Sequence, residues 1–189
     1  MSFKPNATPA LPSPWREFLE ELDKLLPSAV ELHCLGGFVL TALYGLPRPT
    51  GDIDYISAVP LKEVETVAEI AGPDSRLARK YKVRVHYVTI ADVPENYEAR
   101  LREMFPGQFS KLRLFALDPH DIVLSKVTRN SSVDDDDVRF LAKAGVLDPA
   151  VLRERYEREF LPIGDKKKHD LTLQLWLEDY FPKDQSSGD

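Results

Sequence analysis

Apolar residues recur at helical spacing through Trp15, Phe18, Leu19, Leu22, Leu25 and Leu26. One stripe of this kind predicts a helix, opened by Ser13-Pro14 and closed by Pro27. The period then shortens. Val30, Leu32 and Cys34 alternate in a strand over residues 30–35 that runs into Gly36-Gly37. The apolar stretch 38–44 predicts a short buried helix stopped by Gly45, and residues 52–57 a second strand. Leu61, Val64, Val67, Ala68 and Ala71 mark a helix ended by Gly72-Pro73. Residues 83–90, β-branched and alternating, predict a third strand. A helix over 95–104, a turn at Pro106-Gly107 and a fourth strand over 111–117 follow.

Beyond that point the pattern is helical only. Asp118-Pro119, Ser131/Ser132 and Asp148-Pro149 each read as a helix start. In the last stretch Leu171, Leu173, Leu175 and Leu177 alternate, yet Leu173, Trp176, Leu177, Tyr180 and Phe181 fit a helix, and the length favours helix. The order predicts an α/β (α+β) fold with a helical C-terminal part. Residues 1–14, with four prolines, are expected to be an extended or disordered arm, 15–117 the α/β core, and 118–189 the helical part packed on it.

Composition narrows the classes. The 189 residues are 43% hydrophobic and 30% charged, as in an ordinary globular protein. No apolar run reaches bilayer length and the N-terminus lacks the pattern of a signal peptide, so no membrane partner and a cytoplasmic location are expected. The net charge of −6 argues against a general nucleic-acid coat protein but allows a local patch that grips one RNA end. Cys34 is the only cysteine and alternates with core positions, which predicts a buried, inert thiol.

Chemistry concentrates between Gly36 and Asp54. Side chains alternate along a strand, so Asp52 and Asp54 point to one side, with Cα atoms roughly 6 to 7 Å apart. Ile53 and Tyr55 then face the core. Two carboxylates on one face repel each other unless a positive charge lies between them. A hard divalent ion, Mg2+ or Mn2+, does this best, and magnesium readily shares carboxylates with substrate phosphates. Gly36 and Gly37, where a strand passes into a helix, allow close backbone approach, and N–H groups at a helix start favour phosphate.

Paired small residues ending a strand, a short helix, and Asp-x-Asp on the next strand resemble the signature of the polymerase-β-like nucleotidyltransferase superfamily. The form found here, Gly36-Gly37, then Tyr44-Gly45-Leu46-Pro47-Arg48, then Thr50-Gly51-Asp52-Ile53-Asp54, looks like uncharacterised bacterial members close to the AbiEii-type toxins. Downstream, Asp118 to Lys126 and Val133 to Val138 are similar to the second block of that group, in which a helix carries a lysine and an Arg-Asp-x-x-Asp element opens the next helix. By that match Lys126 is the lysine and Asp134 and Asp137 the acids, while Val133 stands where the arginine usually does.

The resemblance implies a small mixed sheet flanked by helices. It implies transfer of a nucleotide from a nucleoside triphosphate, with magnesium on Asp52 and Asp54 and phosphates at Gly36, Gly37, Arg48 and Thr50. The acceptor would be RNA, a tRNA end or a protein, and the chain could be the toxin partnered by an antitoxin protein. Lys126, Asp134 and Asp137 would complete the catalytic set.

Plainer readings stand beside these. Asp134 to Asp137 is also what a helix dipole favours in a first turn. Lys126 and the run Lys166-Lys167-Lys168 can be solvated, and Arg48 and Thr50 can simply shape a turn. The third strand offers Arg84 and His86 where the resemblance implies a third carboxylate, with Asp92 just beyond. Two rivals therefore remain: a nucleotide-binding or interaction protein of the same fold without transferase activity, and a nucleotidyltransferase acting on a small molecule such as an antibiotic.

Overall fold

The computed structural model describes residues 10–48 and 50–181. Contacts divide them into two compact units, one of residues 10–91 and Tyr97–Asp118, the other of Asp92–Asn96 and residues 119–181.

The first unit is a mixed α/β sheet structure. Helix α1 (Trp15–Leu25) buries Trp15, Phe18, Leu19 and Leu22. Leu25, expected on the same stripe, is 53% exposed, while Leu26 beyond the helix end is buried. The expected Ser13 cap is not formed. Pro14 is the capping residue and no side chain caps the helix, although Leu11, assigned to the arm, is buried. The remainder of the arm, residues 1–9, lies outside the described residues.

Strand β1 (Val30–Leu35) leads directly into α2 (Gly36–Tyr44), which buries Phe38, Val39, Leu40 and Ala42. Gly45 ends α2 in the left-handed conformation, φ 74°, which only glycine adopts without cost. Strand β2 (Asp52–Val59), helices α3 (Glu63–Ala71) and α4 (Arg76–Tyr81), and strand β3 (Arg84–Tyr87) follow. Strands β4 (Arg102–Met104) and β5 (Leu112–Ala116) complete the sheet, whose order is β3-β2-β1-β5-β4. The β1/β2 and β4/β5 pairs are antiparallel and the β1/β5 and β2/β3 pairs parallel.

The strand expected over 83–90 covers only Arg84–Tyr87, and local spacing misses structure at two further places. The helix expected over 95–104 is a 3-10 turn, Tyr97–Arg100, followed by the edge strand β4. Pairing with β5, Met104 opposite Leu114 among others, supplies hydrogen bonds that local helical spacing does not reveal. Helix α4 was not expected. Its six residues are too few for a periodic stripe, and the local signal is the cap at Ser75, whose hydroxyl accepts from the Ala78 N–H at 3.0 Å.

The second unit carries helices α5 (Pro119–Val127), α6 (Ser132–Lys143), α7 (Pro149–Arg158) and α8 (Lys166–Tyr180). The alternating leucines near the C-terminus are helical, with Leu173, Trp176 and Leu177 buried and Leu171 and Leu175 exposed. Among the described residues no helix is long and apolar enough to cross a membrane.

Candidate functional site

In the first unit the alternation of β2 decides which side chains are offered to a ligand. Ile53 and Tyr55 are fully buried, while Asp52 and Asp54 emerge half-buried on the other face. Antiparallel pairing sets Asp54 opposite Leu35, the last residue before Gly36. Gly36 has φ 74°, and a Cβ built on it would lie 2.9 Å from Asp54 Oδ2. Glycine is therefore required twice here, for its backbone conformation and for the close approach of the carboxylate.

Gly37 is packed against the loop that precedes β2. A Cβ there would lie 3.0 Å from Arg48 Nη2 and 3.6 Å from Thr50 Cβ. Thr41 Oγ1 donates to the Arg48 carbonyl at 3.3 Å, and the Asp52 N–H donates to Thr50 Oγ1 at 3.4 Å. The structure thus brings together Gly36, Gly37, Arg48, Thr50, Asp52 and Asp54.

Parallel pairing adds nitrogen-bearing side chains from β3, because Asp52 lies opposite Arg84 and Asp54 opposite His86. Arg84 grips Asp52 in a fork, Nε to Oδ1 at 2.7 Å and Nη2 to Oδ2 at 3.2 Å. His86 Nδ1 lies 2.9 Å from Asp54 Oδ1. These side chains are 48% and 54% exposed, so both contacts face solvent and exchange partners at small cost. The sequence placed Arg84 and His86 on this strand without pairing them to the acids. Knowing that β3 lies parallel beside β2 supplies that step.

Buried Cys34 lies on β1 with its thiol 3.6 Å from the Leu32 carbonyl, to which it donates. Burial, with a smaller contribution from the Asp54 charge, pushes the thiol well above its usual range, so it stays protonated.

The other three predicted residues lie in the second unit, gathered around one another. Lys126 Nζ donates to Asp134 Oδ1 at 3.0 Å and to Asp137 Oδ2 at 2.9 Å, and the side chains are 4%, 0% and 0% exposed. Arg129 forks onto Asp134, with Nε 2.8 Å from Oδ2. Ser131 and Asp134 form a reciprocal capping box at the start of α6. Burial pushes the Asp134 carboxyl up. Hydrogen bonds from Arg129, Ser131 and Lys126 and the lysine charge outweigh it, holding the group well below the usual carboxylate range. Arg129 supplies the cation expected beside these acids and missing at Val133, which is 44% exposed.

Asp92 accepts from the Ile163 N–H at 3.1 Å, a bond within the second unit. Lys166, Lys167 and Lys168 are exposed at the start of α8, where Asp165 caps two of their N–H groups.

A family model described as a nucleotidyltransferase of unknown function (DUF6036) matches residues 16–181. The chain belongs to this family. No curated protein and no solved structure matches it.

For a nucleotidyltransferase-family chain the question is whether the acidic face suits a metal–nucleotide ligand. Among the described residues no group of three or more His, Cys, Asp or Glu side chains could hold a metal ion. The donor set is two carboxylates on one face beside a glycine turn. That suits a magnesium ion whose remaining ligands come from substrate phosphates and water, and does not suit a self-sufficient metal cage.

Proposed function

We propose that this family member is a metal-dependent nucleotidyltransferase that joins a nucleoside monophosphate, taken from a nucleoside triphosphate, to an acceptor oxygen. The observation that carries the reading is the contact of Gly36 with Asp54. A carboxylate lies where any side chain on the turn would collide with it, and its neighbour Asp52 shares the face.

In this reading the N–H groups at the start of α2 and the Arg48 guanidinium receive the triphosphate, and Thr50 holds the approach to β2. Asp52 and Asp54 would hold Mg2+ or Mn2+ together with the phosphates, in place of their present Arg84 and His86 partners. The ion, when bound, neutralises phosphate charge and polarises the α-phosphorus. Lys126, Asp134 and Asp137 serve by holding α5 and α6 in place, since their charged atoms are already bonded to one another.

The sequence's likeness to AbiEii-type toxins extends the proposal to an RNA or tRNA-end acceptor and an antitoxin partner. Growth arrest on expression, relieved by Asp52→Asn, is the outcome that part requires. The contacts of Arg84 with Asp52 and of His86 with Asp54 favour a second reading, in which the fold binds nucleotide and transfers nothing.

Incubation with each α-labelled nucleoside triphosphate, magnesium and total RNA, protein or small-molecule extract separates the readings. Label transferred by the wild type and lost in Asp52→Asn and Asp54→Asn supports the enzyme. Nucleotide binding without transfer to any acceptor supports the second reading.

A further inference from the structure

A second feature adjoins Asp52 on the flank of β2 away from the glycine turn. A cleft of about 440 Å3 is lined by Gly51, Asp52, Arg79, Lys82 and Arg84 among its residues, and none of Gly36, Gly37 or Asp54 borders it. The two acids therefore face different surroundings. Asp54 meets the turn between β1 and α2, and Asp52 opens onto the cleft beside α4 and β3.

The cations reach the cleft through fixed backbone. Arg79 sits in the last turn of α4 and donates from Nη1 to the Asp74 carbonyl at 2.8 Å. Lys82 ends α4 in the left-handed conformation, φ 57°, and its N–H donates to the Ala78 carbonyl. The carbonyl of Lys82 is pressed so close to Gly51 that a Cβ there would lie 3.0 Å away. Arg84 is held by Asp52. Three cations against one lining carboxylate reverse the sign of a chain whose net charge is −6. Arg79 and Lys82 are both exposed, and they provide the surplus.

We infer that this cleft receives a phosphate group of the acceptor, which sets the acceptor's reactive oxygen beside Asp52, across from a nucleotide seated on the glycine turn. The inference rests on the nucleotidyl-transfer reading and narrows it: the acceptor is a phosphate-bearing molecule, not an unmodified protein side chain. In the step, the acceptor oxygen bonds to the α-phosphorus as the bond from that phosphorus to the bridging β-phosphate oxygen breaks. Pyrophosphate and the acceptor's proton are released. A paired guanidinium and ammonium suit a phosphate, and each such contact to a nucleic-acid strand carries its own salt dependence.

The test compares wild type with Arg79→Ala/Lys82→Ala, two exposed positions. Anisotropy of a short labelled single-stranded RNA is read across a salt series, with adenosine monophosphate as competitor, and binding of a non-hydrolysable nucleoside triphosphate with manganese is measured on the same samples. The double variant is expected to bind RNA roughly tenfold more weakly, with the salt slope reduced by about 1.4, while triphosphate binding is unchanged. Displacement of RNA by the monophosphate at matched concentration assigns the cleft to small phosphate esters. RNA binding that resists it assigns the cleft to a nucleic-acid end. Unchanged affinity of the variant for both probes, or failure of the wild type to bind either, overturns the inference. Failure of label transfer with both bindings intact sinks the transfer reading and leaves the phosphate cleft standing.

Discussion

Asp52 and Asp54 on one side, and Asp134 and Asp137 on the other, are the same side chain put to opposite uses. The first two stand half-buried on β2, paired with Arg84 and His86 side chains about half exposed to solvent. The second two are fully buried around Lys126, which is itself 3% exposed. Exchange of partner decides what each set can do. An exposed carboxylate that releases an arginine is resolvated at once and can take a ligand cation instead. A buried carboxylate that loses its lysine is left charged in a medium that solvates it poorly, so its partners are in effect permanent. Proximity of acids and bases therefore does not mark a site. Solvent access and an adjoining place for the ligand do.

Substitutions sharpen this contrast in order of expected effect. Asp54→Asn is expected to lower nucleotidyl transfer about 1000-fold, close to 4 kcal/mol in the barrier, with unfolding in urea nearly unchanged. Lys126→Ala reverses the pattern, costing about 3 to 5 kcal/mol of stability in the same urea titration because two buried carboxylates lose their shared cation. If Lys126→Ala melts like wild type, the division between site and scaffold fails.

Acid titration probes the buried set without mutation. The Asp134 carboxyl is held below its ordinary value of 3.8, so the folded state keeps the charge that the unfolded chain loses first. Its contribution is fully present above that ordinary value and is lost as pH falls from about 4 towards the depressed folded value. Thermal melts of wild type should decline through that window, and those of Asp134→Asn should start lower and decline less.

Glycine substitutions act at the exposed set. Gly36→Ala places a methyl group 2.9 Å from Asp54 Oδ2 on a left-handed backbone, for an expected loss of about 1 to 2 kcal/mol of stability together with nucleotide binding. Gly37→Ala meets the end of the Arg48 side chain at 3.0 Å on a backbone outside the left-handed region, so a several-fold weaker nucleotide affinity and a smaller loss of stability are expected by calorimetry. The smaller effect at Gly37 checks that it is the left-handed backbone and the Asp54 contact of Gly36, and not glycine as such, that count.

The sequence shows the acidic face because its signal is local. Alternation along Asp52-Ile53-Asp54-Tyr55 fixes which side chains are buried, and Gly36-Gly37 ends a strand whose partner carries the acids. What stayed hidden depends on pairing between distant segments. Arg102–Met104 has helical spacing with Tyr97 and Leu101, and only its bonds to β5 make it a strand. Arg84 meets Asp52 because α3 and α4 carry the chain across to a parallel neighbour, a register that no short motif encodes. The cation cleft depends likewise on α4, too short to announce itself by periodicity.

Electron paramagnetic resonance of Mn2+ titrated into the protein, with and without a non-hydrolysable nucleoside triphosphate, tests the acidic face most directly. Tight binding that needs the nucleotide, present in wild type and absent in Asp52→Asn and Asp54→Asn, is the predicted result. Equal binding in wild type and both variants, or none in wild type with nucleotide present, contradicts the account.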